Sequence, residues 1–590
     1  MIRRLAYVVL ALLLCAEQAS AADKPNILFI LTDDQGWWDV GHRGNKDIDT
    51  PVIDRLARDG VDFARFYAAP VCAPTRAGLM TGRYCFRTGL YNTRFGGDTL
   101  GLGEVTIAEL LKDAGYRTGC FGKWHLGKYT PYQPHNRGFD EFLGHYHGHI
   151  DKYDYPDQIV HNGKPVEGRR YVTDLFTDAA IEFIETSNNQ PWFCYVPFNA
   201  PHSPWVVGTS HDGQARGDLL INKYLKRGLA LREARIYAMI DIIDQNVGRL
   251  LKRLDDLKLA ENTVVLFMTD NGGVSKHFKA GLKSNKGSIY EGGVRVPLVV
   301  RWPGKFPAGG RVDAQCSHVD LAPTFCELAG VPLPDDRKID GKSLLPLLKA
   351  GKGERHHEYV YHAWDRYFPN PDNRWSISNQ RWKLACQVRT GEQATENNWR
   401  LYDLQNDLGE TTNLINKHPE IARRLRTEFL RWFDDVTEGV DYKPVPIPVG
   451  HPDEPLVEIQ PSWAKWQGKN IEYVFRGYDW DTIEGWKQPG EQATWKLDVH
   501  RAGQYEVTIS YGRSARGGGT LKLSAGETSL ECSPPATPTG DVFERLHVGT
   551  LTLHEGPAVL KAEVVKAHGT ELMRLNGIFL RRIREQAIRR

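Results

Sequence analysis

The chain has 590 residues, more than one ordinary hydrophobic core accommodates, so we expect at least two domains. Apolar residues make up 41% of the chain, which excludes an intrinsically disordered protein. The 75 Lys and Arg residues almost balance the 73 Asp and Glu residues, and the resulting formal net charge of +2 gives no overall electrostatic reason to expect a nucleic acid partner.

The N-terminal segment has the pattern of a secretory signal. Arg3 and Arg4 precede an apolar run over residues 5–14, and the small-residue pattern Ala19-Ser20-Ala21 follows. We predict a signal peptide over residues 1–21. The run is too short to span a membrane, so the mature protein is expected to be secreted or periplasmic, with no stable membrane span.

A lipid anchor at Cys15 is the alternative to simple cleavage. Cleavage is favoured because Leu14 occupies the position where an anchored cysteine is expected to follow a small residue. The chain contains no Asn-x-Ser/Thr glycosylation sequence, which favours a bacterial source.

Four strand-like apolar segments each end in polar residues and glycine: NILFILTDDQG, YRTGCFGKWHLG, PWFCYVPFNAPHSP and TVVLFMTDNGG. Uninterrupted apolar strands are buried on both faces, which is typical of a mainly parallel sheet. Helical patterns lie between them, for example after Thr50 and over residues 232–257. We therefore predict an α/β domain over residues 24–440, with helices on both faces of a large sheet and ligands at the carboxyl ends of its strands.

Two of these strands deliver pairs of oxygen ligands. Asp33 and Asp34 follow the first segment, and Asp270 and Asn271 follow the fourth. If the two pairs converge, they suit a hard divalent cation such as Ca²⁺ or Mg²⁺. For either pair alone, a helix cap or a turn is the more common explanation.

Basic residues are candidates to hold an anion beside this metal: Arg76, Lys123, His125, His202 and Lys286. Each of them taken singly is equally consistent with an ordinary surface or loop residue. The thiol of Cys72 stands two residues before Pro74 and close in sequence to Arg76, a side chain suited to holding an anion. This is an unusual setting for a structural thiol.

Three histidines alternate in the sequence GHYHGHIDKYDYPD, at His145, His147 and His149. No carboxylate or thiol is spaced to complete a closed second metal site with them. We interpret this segment as a loop that contacts the substrate or the solvent.

The composition changes near the end of the α/β domain. The proline-rich stretch 441–455 is predicted to be a linker. Beyond it, residues 456–590 alternate apolar and polar residues, which predicts an all-β sandwich of jelly-roll type. The tail contains five tryptophans that either stack on sugars or fill the core, the second role being favoured for most of them: Trp463, Trp466, Trp480, Trp486 and Trp495.

The segment Cys72-Ala73-Pro74-Thr75-Arg76, followed by AGLMTGRY, resembles the signature of the sulfatase family. Further segments resemble sulfatase motifs in the order in which the family shows them: LTDDQG, GKWHLG, NAPHSP, MTDNGG, KGSIYEGGVRVP, SHVDLAPTFCELAG and WRLYDLQNDLGETTNL. The similarity covers about residues 24–440 and implies an alkaline-phosphatase-like fold. The combination of motifs is specific, although each motif alone is weak.

The resemblance implies that a maturation enzyme, either a formylglycine-generating enzyme or an anaerobic sulfatase-maturing enzyme, converts Cys72 to Cα-formylglycine. The hydrated aldehyde is then the nucleophile that forms a covalent sulfoenzyme, with His125 as the base that releases sulfate and His202 as the acid toward the leaving alcohol. The implied ligands of Ca²⁺, with Mg²⁺ less favoured, are Asp33, Asp34, residue 72, Asp270 and Asn271. Arg76, Lys123 and Lys286 would screen the negative charge.

The predicted function is therefore an arylsulfatase-like sulfuric ester hydrolase that acts on sulfated carbohydrate or on aryl sulfates. One alternative is a formylglycine-dependent phosphate or phosphonate ester hydrolase. A second alternative, from another class, is an inactive glycan-binding protein in which the C-terminal sandwich, weakly similar to carbohydrate-binding domains, supplies the function.

Overall fold

The computed structural model describes residues 24–187, 190–208, 216–366, 368–389, 392–475 and 481–583. The predicted signal peptide, Cys15 and Trp480 lie outside the described residues. The chain divides into two compact units. The first unit comprises the residues up to Thr93, Leu100–Leu126 and Pro134–Asp441, and the second comprises Arg94–Thr99, Gly127–Gln133 and the residues from Tyr442 onward.

The first unit contains a large mixed sheet and two smaller sheets. Its strands are β1 (Asn26–Thr32), β2 (Val61–Phe63), β3 (Phe66–Tyr67), β4 (Arg117–Lys123), β5 (Glu141–His145), β6 (Ile159–His161), β7 (Lys164–Val166), β8 (Trp192–Pro197), β9 (Thr263–Thr269), β10 (Arg295–Val296), β11 (Leu298–Arg301), β12 (Gly310–Val312), β13 (Cys316–Ser317), β14 (Lys352–Gly353), β15 (Val360–Ala363), β16 (Arg374–Ser378), β17 (Trp382–Gln387) and β18 (Trp399–Asp403). The large sheet has the order β14-β12-β2-β11-β9-β1-β8-β4-β5-β6-β7. Its central strands, β9, β1, β8, β4 and β5, are parallel neighbours.

Helices of this unit connect the strands and cover the sheet. They are α1 (Pro51–Asp59), α2 (Cys72–Thr81), α3 (Ile107–Asp113), α4 (Val172–Thr186), α5 (Arg216–Lys226), α6 (Leu231–Asp256), α7 (Glu291–Val294), α8 (Leu321–Ala329), α9 (Leu345–Ala350) and α10 (Pro419–Thr437). Alternate residues of β1 point to opposite faces of the sheet. Leu28 and Ile30 belong to the cluster that contains α4 and α6, whereas the Phe29 ring lies 5.5 Å from the ring of Phe325 in α8. The predicted α/β architecture is confirmed.

The second unit consists of two mainly antiparallel sheets. Its strands are β19 (Ile447–Val449), β20 (Leu456–Ile459), β21 (Lys465–Gln467), β22 (Glu472–Val474), β23 (Thr482–Glu484), β24 (Gln492–Val499), β25 (Gly503–Gly512), β26 (Gly517–Ala525), β27 (Thr528–Cys532), β28 (Glu544–Leu553), β29 (Gly556–Gly569) and β30 (Arg574–Arg582). One sheet has the order β19-β24-β29-β26-β27 with β21 paired to β24, and the other has the order β22-β23-β30-β25-β28 with β20 paired to β30. The predicted all-β region is therefore confirmed.

The second unit differs from the sequence prediction at its edges. Ile447–Val449, inside the predicted linker 441–455, forms a strand, which tolerates Pro448 because it lies at a sheet edge. The predicted boundary places Arg94–Thr99 and Gly127–Gln133 in the preceding domain, yet they belong to this unit. Tyr129 and Tyr132 are buried in its hydrophobic core, which explains why these segments fold with it.

Two of the four tryptophans described in the tail fill this core. Trp486 and Trp495 are buried, and their indole N–H groups donate to the carbonyls of Ile483 and Gln460 at 2.7 and 2.9 Å. Trp463 is half-buried, whereas Trp466 is 44% exposed. Burial and satisfied hydrogen bonds give Trp486 and Trp495 a structural role.

None of the described helices is long and apolar enough to cross a membrane. All eight cysteines in the described ranges have free thiols.

His362 in β15 gives the first unit a predicted sensitivity to acid. The side chain is buried, and burial, together with the nearby Lys383, lowers its pKa well below the ordinary value of 6.5. Below pH 6.5 the unfolded chain then binds a proton that the folded chain does not, so stability falls as the pH falls. The variant His362→Gln lacks this titrating group. As the pH falls below 6.5, we expect its free energy of unfolding to decrease less than that of the wild type, by up to about 1.4 kcal/mol per pH unit.

The measurement is urea unfolding of both proteins between pH 7 and 5, with the exposed His161→Gln as a control. Equal acid dependence in the wild type and His362→Gln would contradict this prediction.

Candidate active site

Polar groups from the central strands meet at one edge of the large sheet. Asp33 and Asp34 follow β1, Asp270 and Asn271 follow β9, and His202 follows β8. Because β9, β1 and β8 are parallel neighbours, their carboxyl ends lie side by side. The structure therefore brings together residues that are more than two hundred positions apart in the chain: the backbone N–H of Asp34 donates to Asp270 Oδ1 at 3.3 Å, with a sequence separation of 236.

The loops after β1 and β9 approach each other closely. A Cβ atom on Gly273 would lie 2.6 Å from the backbone of Gly36, so only glycine fits at that position. Asp34 adopts a left-handed backbone with φ of 71°. Aspartate tolerates this conformation better than most residues. The result is a tight turn in which Asp34 contacts the loop after β9.

The oxygen atoms of this edge fit a hard divalent cation. Asp33 Oδ1 and Asn271 Oδ1 are buried and have no hydrogen-bond partner among the described residues. Asn271 uses its other atom, Nδ2, to donate to Asp34 Oδ1 at 2.9 Å. Asp33, Asp34 and His202 also form one of the groups in which potential ligand atoms lie within 4.8 Å of one another. Buried oxygens without partners are costly unless a cation or water binds them, and an oxygen-rich set suits Ca²⁺ or Mg²⁺.

Cys72 is the first residue of α2 and is 4% exposed. A helix N-terminus carries a partial positive charge that stabilises an anion there. The pKa of the thiol is raised, mainly by burial, with Lys123 and Lys286 lowering it and Asp33 and Asp270 raising it. Charges of both signs therefore act on the side chain at position 72.

Three basic side chains are held in place by the carboxylates of this site. Arg76 donates to Asp270 Oδ2 at 2.8 Å and to the Lys123 carbonyl at 2.8 Å. Lys123 forms a direct ion pair with Asp33, and Lys286 lies 2.5 Å from Asp34 Oδ1. Arg76 and Lys123 are fully buried, whereas the Lys286 side chain keeps 22% of its surface exposed. These basic side chains are therefore held in place before any substrate binds.

The carboxyl groups have perturbed pKa values. Burial opposes ionisation of Asp33, but Lys123, together with Lys286, holds its pKa well below the ordinary value. Burial raises the pKa of Asp34 to about 7, despite the nearby Lys286. Burial, with the charge of Asp33, also raises the pKa of Asp270. This crowding of negative charge is what a bound cation would relieve.

His202 has a defined orientation. Its Nδ1–H donates to the Ser203 carbonyl at 2.7 Å, which leaves Nε2 directed toward Asp34 Oδ2 at 3.9 Å. Tyr153 donates to the carbonyls of His202 and Asn199, at 2.6 and 2.8 Å. Burial, together with Lys286, lowers the pKa of His202 well below 6.5. The ring is therefore neutral near pH 7 in the absence of an added negative charge.

His125 is oriented through a backbone carbonyl. Its Nε2–H donates to the Thr93 carbonyl at 3.0 Å, so Nδ1 is the basic nitrogen. The residue adopts a left-handed φ of 60°, and a Cβ on Gly148 would lie 2.4 Å from its ring. Burial, together with Lys123, lowers its pKa well below 6.5, so the ring can accept a proton near neutral pH.

Sequence reasoning did not identify Tyr153 or Thr93 as contributors to this site. Tyr153 lies in the histidine-rich segment, where its hydroxyl gave no signal of its own, and Thr93 contributes only a backbone atom. In that segment, the His149 ring lies 5.5 Å from that of His202. Neither group of potential metal ligands among the described residues includes His145, His147 or His149.

Two family models match the chain. The model described as Sulfatase matches residues 25–331, and the model described as N-sulphoglucosamine sulphohydrolase, C-terminal, matches residues 284–433.

The chain is also similar to curated proteins and to solved structures. N-acetylgalactosamine-6-sulfatase of Canis lupus familiaris is 36% identical over 57% of this chain and 68% of its own length. A protein named Sulfatase from Formosa agariphila is 30% identical over 70% of this chain and 89% of its own length. The crystal structure of Ps i-CgsB in complex with k-i-k-neocarrahexaose has a TM-score of 0.63 and 30% identity, and the match covers 71% of this chain and 95% of that chain.

Proposed function

From its membership of the sulfatase family, which makes this chain a sulfate ester hydrolase, we propose a more specific reaction. The protein removes sulfate from a sulfated carbohydrate by means of a formylglycine at position 72. The observation that carries the proposal is that three basic side chains are held on the carboxylates at this edge of the sheet: Arg76 on Asp270, Lys123 on Asp33 and Lys286 on Asp34. An anionic ester needs such screening before another anionic oxygen can reach its sulfur.

We propose that Asp33, Asp34, Asp270 and Asn271, together with residue 72, would hold the divalent cation, with Ca²⁺ preferred. The unpartnered Asp33 Oδ1 and Asn271 Oδ1 support this assignment. When bound, the cation would neutralise charge on the sulfate oxygens and lower the pKa of an oxygen at position 72. The hydrated aldehyde would supply one hydroxyl to attack sulfur and a second whose deprotonation releases sulfate.

The remaining steps are assigned to the fixed side chains. Arg76, Lys123 and Lys286 hold and screen the sulfate oxygens and the oxygens of residue 72. His125 accepts a proton through Nδ1, because Nε2 is committed to the Thr93 carbonyl. His202 donates a proton from Nε2 to the leaving alcohol, and the negative charge of the bound ester raises the pKa of His202 toward the value that this role needs.

Sulfated carbohydrate is the substrate class that the similarities support best. One relative is named N-acetylgalactosamine-6-sulfatase, and one similar structure holds a neocarrahexaose. The secretory pattern over residues 1–21 agrees with a polysaccharide substrate outside the cytoplasm. We therefore propose that the protein is secreted or periplasmic and that the first unit carries the hydrolytic site.

The direct test measures sulfate release from sulfated oligosaccharides and compares sulfate with phosphate release from matched aryl esters. We expect sulfate release from both kinds of sulfate ester and a lower kcat/KM for the phosphate ester. A higher kcat/KM for the phosphate ester would favour the alternative of a phosphate or phosphonate ester hydrolase. Failure to hydrolyse any of these esters by protein matured at Cys72 would overturn the proposal.

The role of His202 predicts a dependence on the leaving group. His202→Ala should lower kcat for a carbohydrate sulfate by about 10²–10⁴-fold, because an alkoxide is a poor leaving group without a proton. The loss should be much smaller for nitrophenyl sulfate, whose leaving group is stable as an anion. The exposed His161→Gln serves as a control. Equal losses for both esters would remove the acid role from His202.

The second unit carries an exposed aromatic surface, which favours a carbohydrate-binding role. Trp466 is 44% exposed and stacks on Tyr473 with ring centroids 6.0 Å apart. Phe475 is 51% exposed, and the Arg94 guanidinium lies 4.0 Å from its ring centroid. Flat rings suit the faces of sugars, and the arginine suits an anionic substituent. We propose that this surface binds sulfated glycan.

Trp466→Ala should weaken retention of the full-length protein on an immobilised sulfated polysaccharide by about tenfold, or about 1.4 kcal/mol. Hydrolysis of nitrophenyl sulfate should not change, because the small ester does not need this surface. Val559→Ala removes another exposed apolar side chain of the same unit, 52% exposed, and is the matched control. Unchanged retention of Trp466→Ala would exclude this surface as the binding site.

A further inference from the structure

Lys286 lies in the segment 284–290, here called the lysine turn, which directly precedes α7. Its side chain reaches the proposed sulfate site, where 2.5 Å separate Lys286 Nζ from Asp34 Oδ1. A lysine side chain has a flexible four-carbon stem, so the position of its ammonium group depends on how firmly the backbone is held. The contacts of the lysine turn therefore decide how well Lys286 can perform the screening role proposed for it.

Backbone hydrogen bonds join the lysine turn to the sulfate site. The N–H of Lys286 donates to the Gly273 carbonyl at 3.2 Å, and the N–H of Gly287 donates to the Pro70 carbonyl at 2.9 Å. Gly273 belongs to the loop after β9, and Pro70 stands two residues before Cys72. The turn is thus attached both to the loop that carries proposed metal ligands and to the segment that leads to the proposed nucleophile.

A second set of contacts joins the lysine turn to the sheet of order β15-β16-β17-β18, here called the small sheet. The side-chain Oε1 of Gln387, the last residue of β17, accepts two hydrogen bonds from the turn: from the Ser288 hydroxyl at 2.8 Å and from the Ile289 N–H at 3.1 Å. Ser288 and Ile289 are buried. Buried donors that lose their acceptor are costly, so one amide oxygen stabilises the present conformation of the turn.

A buried ion cluster holds the residue that follows the turn. Glu291 Oε1 lies 2.9 Å from Lys383 Nζ of β17, and the Glu291 N–H donates to Glu410 Oε2 at 2.7 Å. Lys383 Nζ also lies 3.2 Å from Glu410 Oε1, and Arg295 lies 3.3 Å from Glu291 Oε2. The two cations balance the two carboxylates. Removal of any member would leave a buried charge unbalanced, so these residues are unsuitable for a test that needs a folded protein.

The lysine turn also packs closely against α7. A Cβ atom on Gly293 would lie 2.1 Å from the carbonyl oxygen of Ser288, and one on Gly292 would lie 2.5 Å from the carbonyl oxygen of Lys283. Only glycine fits at these two positions. Because the backbone is packed this closely, a displacement at Ser288 is transmitted to Lys286, which lies two residues earlier.

We propose that Gln387 is a positioning residue for sulfate hydrolysis, whose amide oxygen holds the lysine turn so that Lys286 Nζ stays at Asp34. Gln387 acts through Lys286 and is assigned no contact with the ester. The inference rests on the proposed function, from which it takes the screening role of Lys286. A displacement of about 1 Å in a group that acts on the reacting atoms can lower a rate by up to about 10²-fold.

The first experiment measures kcat and KM for a carbohydrate sulfate with matured full-length protein. Gln387→Leu keeps a similar volume and removes the acceptor, so we expect kcat/KM to fall by about tenfold. Gln387→Glu keeps an acceptor and should stay within about threefold of the wild type. Gln380→Leu is the matched control, because Gln380 precedes β17 in the same sheet and its amide donates to the Asp313 carbonyl instead. It should stay within about twofold.

Lys286→Met tests whether Gln387 acts through the lysine. In protein that already carries Lys286→Met, the change Gln387→Leu should lower kcat/KM by less than about twofold, because the group that Gln387 positions is gone. A merely structural role predicts the same loss with and without Lys286. Equal losses in both backgrounds, or wild-type kcat/KM in Gln387→Leu, would overturn the proposal.

A measurement without turnover separates this inference from the proposed function. Full-length protein made without a maturation enzyme is treated with acetic anhydride, and acetylation of Lys286 is followed by peptide mass spectrometry. In Gln387→Leu, Lys286 should react about fivefold faster than in the wild type, the change in a local opening equilibrium expected for one lost hydrogen bond. The exposed Lys417 should react equally in both proteins, and the buried Lys383 should stay unreactive while the protein is folded.

Ser288→Ala replaces Gln387→Leu if the latter does not fold. It removes one of the two donors and should increase the acetylation rate of Lys286 by about threefold. Wild-type reactivity of Lys286 in the folded variant would overturn the positioning role, whether or not the wild type hydrolyses sulfate esters. Faster acetylation in the variant supports the positioning role, and absence of hydrolysis in matured wild-type protein counts against the proposed function alone.

Discussion

Cys72→Ala will lower the rate of sulfate release by at least about 10³-fold, because it removes the atom on which the proposed nucleophile is built. The methyl side chain cannot be converted to an aldehyde. The remaining acceleration would come from the cations and from binding alone. Thermal unfolding should change little, since the substitution removes only one sulfur atom and alanine is compatible with the first turn of α2.

The measurement combines turnover with peptide mass spectrometry across residues 71–76. Wild-type protein from a host with maturation machinery should contain an aldehyde at position 72 and be active. Cys326→Ala is the control, because it removes another buried thiol. An active wild type that keeps its thiol would contradict the formylglycine mechanism, and an inactive thiol form that still binds glycan would favour the glycan-binding alternative.

Removal of the divalent cation is expected to have the second large effect. Asp33, Asp34 and Asp270 place three carboxylates in a buried site, and Asp33 Oδ1 and Asn271 Oδ1 have no other partner among the described residues. Chelation should therefore lower sulfate release by at least about 10²-fold, and Ca²⁺ should restore it better than Mg²⁺, which demands near-ideal octahedral geometry. The measurement is sulfate release during readdition of each cation to chelated protein.

Asn271→Ala should raise the Ca²⁺ concentration needed for half-maximal activity by at least about tenfold, because it removes one proposed ligand. Asn262→Ala is a matched control: Asn262 precedes β9, whereas Asn271 follows it. Full activity after removal of all divalent cations would contradict the metal assignment. Better restoration by Mg²⁺ would change the identity of the ion but not its site.

The predicted strands rest on patterns of apolar and polar residues among neighbouring positions. The strands that precede Asp33, His202 and Asp270 are continuous apolar runs, and such runs are buried wherever they occur in a sheet. The alternation in β24 likewise indicated a half-buried strand, and Ala493, Trp495, Leu497 and Val499 are its buried residues. These features follow from the chain itself because side-chain periodicity is a property of neighbouring residues.

The organisation of the units did not follow from local patterns. Arg94–Thr99 and Gly127–Gln133 lie between elements of the first unit, yet they fold with the second. Tyr129 and Tyr132 explain this, since their burial requires a core formed more than three hundred residues later in the chain. Proline content likewise predicted a linker at Ile447–Val449, although an edge strand forms there.

The sequence by itself predicted that Asp33, Asp34, Asp270 and Asn271 meet, because parallel strands deliver their carboxyl ends to one edge. Only the tertiary structure decided how those residues are used: the left-handed turns at Asp34 and His125, the Thr93 carbonyl that selects a histidine tautomer, and the exposure of Trp466. Spacing along the chain encodes periodicity and strand ends, whereas orientation, exposure and long-range proximity depend on what packs against each residue after folding.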